Sequence, residues 1–275
     1  MQKILTVGLV AVSVAGSVVL AAQGQGERVT VNFSDPSRPG LLQVQMMEGS
    51  MTIRGADRRD VLIEAAPPAK EEPSGRGDQA ASGLRRLTQR GGFTVDEQAN
   101  TMRISTSQGR GGHYTMEVPR RTNLKLSILN GDTITVDGVE GDIETSNVNG
   151  PSTTLTNISG SVVANAANGK ILATISRVTA QKAMAFSALN GTVDVTLPAS
   201  VKANVKLRSD QGDVFTDFDI QLTPAKEAPV VKDTRQSNGR YRIEVDRSLY
   251  GTINGGGPEF ELRSFNGNVY LRRGK

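Results

Sequence analysis

Seven corners of one pattern recur along this chain, and they constrain its fold more than any other feature. Asn130-Gly131, Asn149-Gly150, Asn168-Gly169, Asn190-Gly191 and Asn266-Gly267 share it, with Gln211-Gly212 and Glu48-Gly49 as near matches. Six, four and two residues before Asn130 stand Leu124, Leu126 and Ile128; before Asn149 stand Ile143, Thr145 and Asn147. Asn168 follows Val162, Ala164 and Ala166, Asn190 follows Met184, Phe186 and Ala188, and Gln211 follows Val205, Leu207 and Ser209. Asn266 follows Phe260, Leu262 and Ser264, and Glu48 follows Leu42, Val44 and Met46. Intervening positions are mostly polar, among them Lys125, Ser127, Glu144, Ser146, Lys206, Arg208, Glu261 and Arg263. Alternation of period two marks strands with one buried face. Apolar residues resume after each corner, as at Ile134 and Val136, Val193 and Val195, and Val269 and Leu271.

Asn-Gly by itself signals a β-hairpin and hence an antiparallel meander or barrel. The spacing favours another arrangement. From Asn130 to Gln211 the corners lie nineteen, nineteen, twenty-two and twenty-one residues apart. Self-similarity at about twenty residues is the mark of a solenoid whose copies stack along an axis. The sequence therefore predicts an all-β, parallel β-solenoid (β-helix), with an inward column of Leu124, Ile143, Val162, Met184 and Val205. Recurrent Asn and Gly are expected wherever each coil needs one left-handed corner. Stacked asparagines are also expected to form hydrogen-bonded ladders.

Composition agrees with a narrow interior. Hydrophobic residues make up 37% and aromatics 4%, with no Trp and 30 glycines, so Val, Ile, Leu and Ala must fill the core. The start reads as a signal peptide over residues 1–24: "MQK", the apolar "ILTVGLVAVSVAGSVVLAA", then small residues. An uncleaved membrane anchor is the alternative, and an envelope tether would follow from it. The expected location is exported: periplasm, outer surface or extracellular. With no cysteine, disulfides, thiol catalysis and a lipid-modified Cys are excluded. The net charge of +4 is spread without a Lys/Arg stripe interleaved with aromatics, which argues against nucleic acid as a partner. A glycan or an envelope protein is the expected partner.

Around the repeat, residues 25–66 read as N-terminal lead-in strands ("RVTVNF", "LLQVQM", "MTIRG", "DVLIEA") and 67–92 as a polar Pro/Gly-rich loop holding a short helix, "LRRLTQR". Residues 93–275 read as the β-solenoid, with regular coils over 123–218 and a closing rung over 251–273. "TPAKEAPVVKDTRQSNG" is expected to be a second long loop, and the irregular ends are expected to cap exposed strand edges.

The segments "YTMEVPRRTNLKLSILNGD", "LPASVKANVKLRSDQGD" and "NGGGPEFELRSFNGNVYL" together resemble the bacterial "putative adhesin" domain family, a domain of unknown function related to the head GIN domain. Val118-Pro119 and Leu197-Pro198 share the hydrophobic-Pro start of its strands. The resemblance runs from about Val29 to Arg272. It implies an exported parallel β-solenoid with no catalytic residues, named adhesin for its architecture, and fold analogy does not establish adhesion.

No chemistry of catalysis is assembled in the sequence, and no catalytic, cofactor-binding or metal residues are assigned. A carbohydrate-active β-helix enzyme, the alternative function, would need paired carboxylates on one outer face. The outward column Lys125, Glu144, Val163, Ala185, Lys206 offers none side by side. Asp132, Asp137, Glu140, Asp142 and Glu144 crowd two coils and could hold Ca²⁺, but solvated corners account for them better. His113 is the sole histidine, so no His cluster for zinc exists. Arg76-Gly77-Asp78 is the one receptor-like tripeptide, and it is too short to be specific. The expected binding face is the polar columns Lys125, Ser127, Glu144, Ser146, Lys206 and Arg208.

Overall fold

The period-two alternation is realised as strands throughout: among the described residues there are twenty-three strands and no helix. A computed structural model describes residues 27–66, 92–106, 112–179, 181–224, 230–234, 240–244 and 247–275. The expected signal peptide, nearly all of the first Pro/Gly-rich loop with its helix, and Arg76-Gly77-Asp78 lie outside the described residues.

Two large, mostly parallel sheets, of ten and eleven strands, enclose one core and are not closed into a barrel. Each Asn-Gly corner carries the chain from the larger sheet into the smaller one. Such a strand–corner–strand unit is a rung. Three rungs follow one another in space as in sequence: β8 (Asn123–Ile128) with β9 (Thr133–Asp137), β10 (Ile143–Asn147) with β11 (Ser152–Ile158), and β12 (Val162–Asn168) with β13 (Lys170–Ile175). Pairing is parallel and in register at the nineteen-residue offset, Leu124 to Ile143 to Val162. The next rung, β14 (Met184–Asn190) with β15 (Val193–Leu197), joins at an offset of twenty-two, Val163 to Ala185.

At both ends the order in space departs from the order in sequence. The expected neighbour of Met184 is Val205, but Met184 pairs with Phe260 and Phe260 with Val205. The closing rung, β22 (Glu259–Asn266) with β23 (Val269–Arg273), is thus inserted between β14/β15 and the rung of β16 (Ala203–Ser209) and β17 (Val214–Thr216). The opposite end mirrors this. β2 (Leu41–Met46) with β3 (Ser50–Ala56) sits between β8/β9 and the rung of β6 (Thr101–Thr106) and β7 (His113–Pro119). The lead-in segment 41–56 is therefore a full interior rung. Antiparallel strands finish the stack: β4 (Asp60–Ala66) on β7, β1 (Glu27–Asn32) on β4, β5 (Phe93–Gln98) on β6, and β21 (Leu249–Ile253) on β16. β18 (Gln221–Thr223) pairs with β21. These antiparallel additions end the parallel array at both poles. Part of the expected second loop is also a strand, since β19 (Val230–Thr234) pairs with β20 (Arg240–Glu244).

At most corners the reason differs from the one expected. Gly49 (φ 102°) and Gly169 (φ 156°) do have a positive φ, but none of Asn130, Asn149, Asn168, Asn190 and Asn266 has one, nor do Gly131, Gly150, Gly191, Gly212 and Gly267. What the glycines supply is room. A Cβ on Gly150 would stand 2.0 Å from the Asp132 carbonyl oxygen of the rung below, and one on Gly191 2.0 Å from that of Gly169. Successive corners pack backbone on backbone. The asparagines form the expected ladder: Asn149 Nδ2 donates to Asn130 Oδ1 (2.6 Å), Asn168 to Asn149 (2.8 Å), Asn190 to Asn168 (2.8 Å) and Asn266 to Asn190 (2.7 Å). Inside three corners a buried or half-buried polar side chain adds support. Asn147 Oδ1 accepts from Gly150 N–H, Ser264 Oγ donates to Gly191 O, and Ser209 Oγ donates to Gly267 O.

Candidate functional site

Because side chains alternate across a strand, every second residue of the larger sheet points outward, and parallel register lines these residues up in columns. The six residues of the expected binding face fall into two separate groups. Lys125 lies beside Glu144 and Ser127 beside Ser146, on adjacent strands β8 and β10. Lys206 and Arg208 stand on β16, with β12, β14 and β22 intervening.

Their charges are used internally. Lys125 Nζ reaches Glu144 at 3.0 Å, Lys206 reaches Glu261 at 3.2 Å, and Arg208 donates to Asp210 at 2.6 Å. Exposed pairs of this kind contribute little stability, typically under about 1 kcal/mol, but they cancel the field of each column locally. On β12 and β14, the two strands next to β10, the outward residues carry no charge: Val163 and Asn165, and Ala185 and Ser187; β22 beyond them carries Glu261 and Arg263, which face Lys206 and Asp210.

A second column was not anticipated. The residue before each corner, in spatial order Met47, Leu129, Val148, Ala167, Leu189 and Phe265, is apolar through six consecutive rungs, and the run ends at Asp210. Leu189 is 50% exposed, Phe265 40% and Leu129 39%. At the spacing of neighbouring strands the stripe is about 24 Å long. It borders the asparagine ladder on one side and the small polar residues Ser127, Ser146, Asn165 and Ser187 on the other. A shallow depression opens over Val148 and Ala167, flanked by Leu189, Phe265 and Arg263. The signal was present in the sequence as an apolar residue before each Asn, at a position where alternation predicts a polar one.

Three of the five acidic residues of the first coils are held by partners. Asp142 Oδ1 accepts from Lys182 Nζ (2.6 Å) and Ser161 N–H (3.0 Å); burial works to raise its pKa, and those donors hold it below the usual carboxylate range. Asp137 accepts from Asn157 Nδ2 (2.8 Å), and Glu144 faces Lys125. Among the described residues no three metal-ligating side chains converge. His113 begins β7 and its Nδ1 is hydrogen-bonded with Ser50 Oγ, at the far end of the stack from the uncharged strip.

No family model matches the chain, and no curated protein matches it. Among solved structures it is similar to a "putative cell adhesion protein" from Clostridium sporogenes ATCC 15579, at 9% identity over 91% of this chain and 100% of that one, with a TM-score of 0.44. It is also similar to a "putative adhesin" from Bacteroides fragilis NCTC 9343 (12% identity, 90% and 95% covered, TM-score 0.28). A third is a "putative adhesin" from Parabacteroides merdae ATCC 43184 (7% identity, 92% and 97% covered, TM-score 0.26). All three names refer to adhesion.

Proposed function

We propose that this chain is an exported, non-catalytic parallel β-solenoid that presents the outer face of its larger sheet as a rigid binding surface, in the manner of an adhesin. The observation that carries this reading is the uncharged strip of Val163, Asn165, Ala185 and Ser187 with the apolar stripe beside it. The ion-paired rungs on either side neutralise themselves and frame it. Flat surfaces of this composition contact partners by shape and apolar area, with side-chain amides and hydroxyls giving orientation. The apolar N-terminal run supports export. The polysaccharide-cleaving alternative needs two carboxylates side by side on adjacent strands of this face, and among the described residues of β8, β10, β12, β14, β22 and β16 there is no such pair.

The test is binding of the purified chain to a glycan array and to envelope extract, beside Leu189→Arg, which places a charge in the stripe at a half-exposed site. Loss of capture with unchanged circular dichroism is the expected result. Capture that ignores Leu189→Arg, or depolymerisation of pectin, alginate or peptidoglycan by the wild-type chain, would remove this reading.

A further inference from the structure

The return corners, on the side of the stack opposite the asparagine ladder, carry a second site. Two of them stack on adjacent rungs: Asp57-Arg58-Arg59 after β3, and Arg120-Arg121-Thr122 after β7. With the loop Phe33–Gly40, which leads into β2, they enclose a cleft of about 430 Å³. Five arginines line it: Arg38, Arg58, Arg59, Arg120 and Arg121. Its apolar wall comes from the buried Phe33 ring and from Pro36, Pro39 and Pro119.

Three of the guanidiniums are fixed in place. Arg38 pairs with Asp35 (2.7 Å), Arg120 with Asp57 (2.9 Å), and Arg58 with both Asp60 and Glu117 (2.7 Å each). Arg59 and Arg121 are exposed and have no ion-pair partner among the described residues. Among the described residues these two cations therefore stand without an ion pair beside a cleft whose other three guanidiniums are paired, although like charges on adjacent corners repel one another.

We propose that this cleft binds the oxyanion of an acidic saccharide, with Arg59 and Arg121 as the anion-binding side chains. Guanidinium is the side chain suited to carboxylate or sulfate, which it grips through paired N–H donors. The proline and Phe33 wall offers apolar surface to a sugar ring, and Asp57 and Glu140, which also line the cleft, offer acceptors to ring hydroxyls. A ligand carrying both hydroxyls and one acidic group satisfies donors and acceptors together. The proposal rests on the surface-binding reading above and names a ligand class and a separate place for it.

The experiment titrates tri-galacturonate, a sulfated oligosaccharide and neutral dextran into the full chain by calorimetry, with phosphatidylglycerol vesicles as a fourth arm. Either acidic oligosaccharide should bind where dextran does not, and the two arms tell carboxylate from sulfate. The double variant Arg59→Gln/Arg121→Gln should lose at least about tenfold in affinity, since each charge-assisted contact is worth about that factor. The control Lys170→Gln/Lys202→Gln removes the same two charges elsewhere and should bind as wild type. Equal loss in both variants, no binding of either acidic probe, or binding to vesicles alone would each overturn the assignment. Binding abolished by Leu189→Arg and untouched by the arginine variant would overturn it while leaving the sheet-face reading intact.

Discussion

At the scale of single residues, the corners show that glycine serves here by what it lacks. Gly150 has no positive φ, yet a Cβ there would meet the Asp132 carbonyl at 2.0 Å and the Asn147 amide at 2.4 Å. Gly150→Ala must therefore push two rungs apart, with overpacking costs of about 1 to 3 kcal/mol. For a chain of this size that is a drop of several degrees in melting temperature, since about 1 kcal/mol corresponds to roughly 2 to 4 °C. Calorimetry checks it, and an unchanged midpoint would mean the corners are not in backbone contact. Thr145 gives the opposite sign. It is fully buried among apolar neighbours in the column Leu126, Thr145, Ala164, and its Oγ1 has no partner. Thr145→Val keeps the shape and removes the unpaired hydroxyl, so a gain of about 1 kcal/mol is expected, read as a higher urea midpoint at constant slope.

At the scale of elements, strand identity and face were legible and spatial order was not. Leu124, Leu126 and Ile128 point inward as alternation requires, and the nineteen-residue register holds from β8 to β12. The inserted rungs escaped because Phe260-Leu262-Ser264 and Val205-Leu207-Ser209 carry the same period-two pattern. Either fits against Met184, and proximity in sequence favours the wrong one. Two details did separate them. Asn266 continues the ladder from Asn190 where Gln211 offers no asparagine, and Phe265 continues the apolar stripe where Asp210 breaks it. The odd corner belongs at the edge. The arginine cleft was hidden for another reason, since its parts are far apart in sequence and meet only because β3 pairs with β7. Removal of residues 258–275 tests the insertion. It takes the parallel partner from both β14 and β16 and uncovers Phe186 and Leu207, so the rung of β16 and β17 should become protease-sensitive together with β14 and β15. Were the closing rung merely terminal, its loss would leave Met184 against Val205 and cleavage would stop at β16.

At the scale of the whole molecule, the ion pairs at the return corners bind the stack through carboxylates that stay ionised in acid. Asp60 is held below the ordinary carboxylate range by its hydrogen bond to Arg58, and Asp142 by Lys182 and Ser161 acting against its burial. A depressed pKa in the folded state means that the unfolded chain takes up protons first as the pH falls. The stability these groups contribute is thus fully present above the unfolded carboxylate value, near pH 4, and is lost as pH drops through their folded values. No decline should occur between pH 7 and about 5, and a fall should follow below about 4. Thermal midpoints measured from pH 7 to 2.5 give the curve. Lys182→Gln removes the cation from Asp142 and leaves the Ser161 donor, so the acid limb should become shallower while the midpoint at pH 7 also drops. If Lys182→Gln lowers every midpoint equally, the pair contributes packing alone and the corners are not tied together by charge.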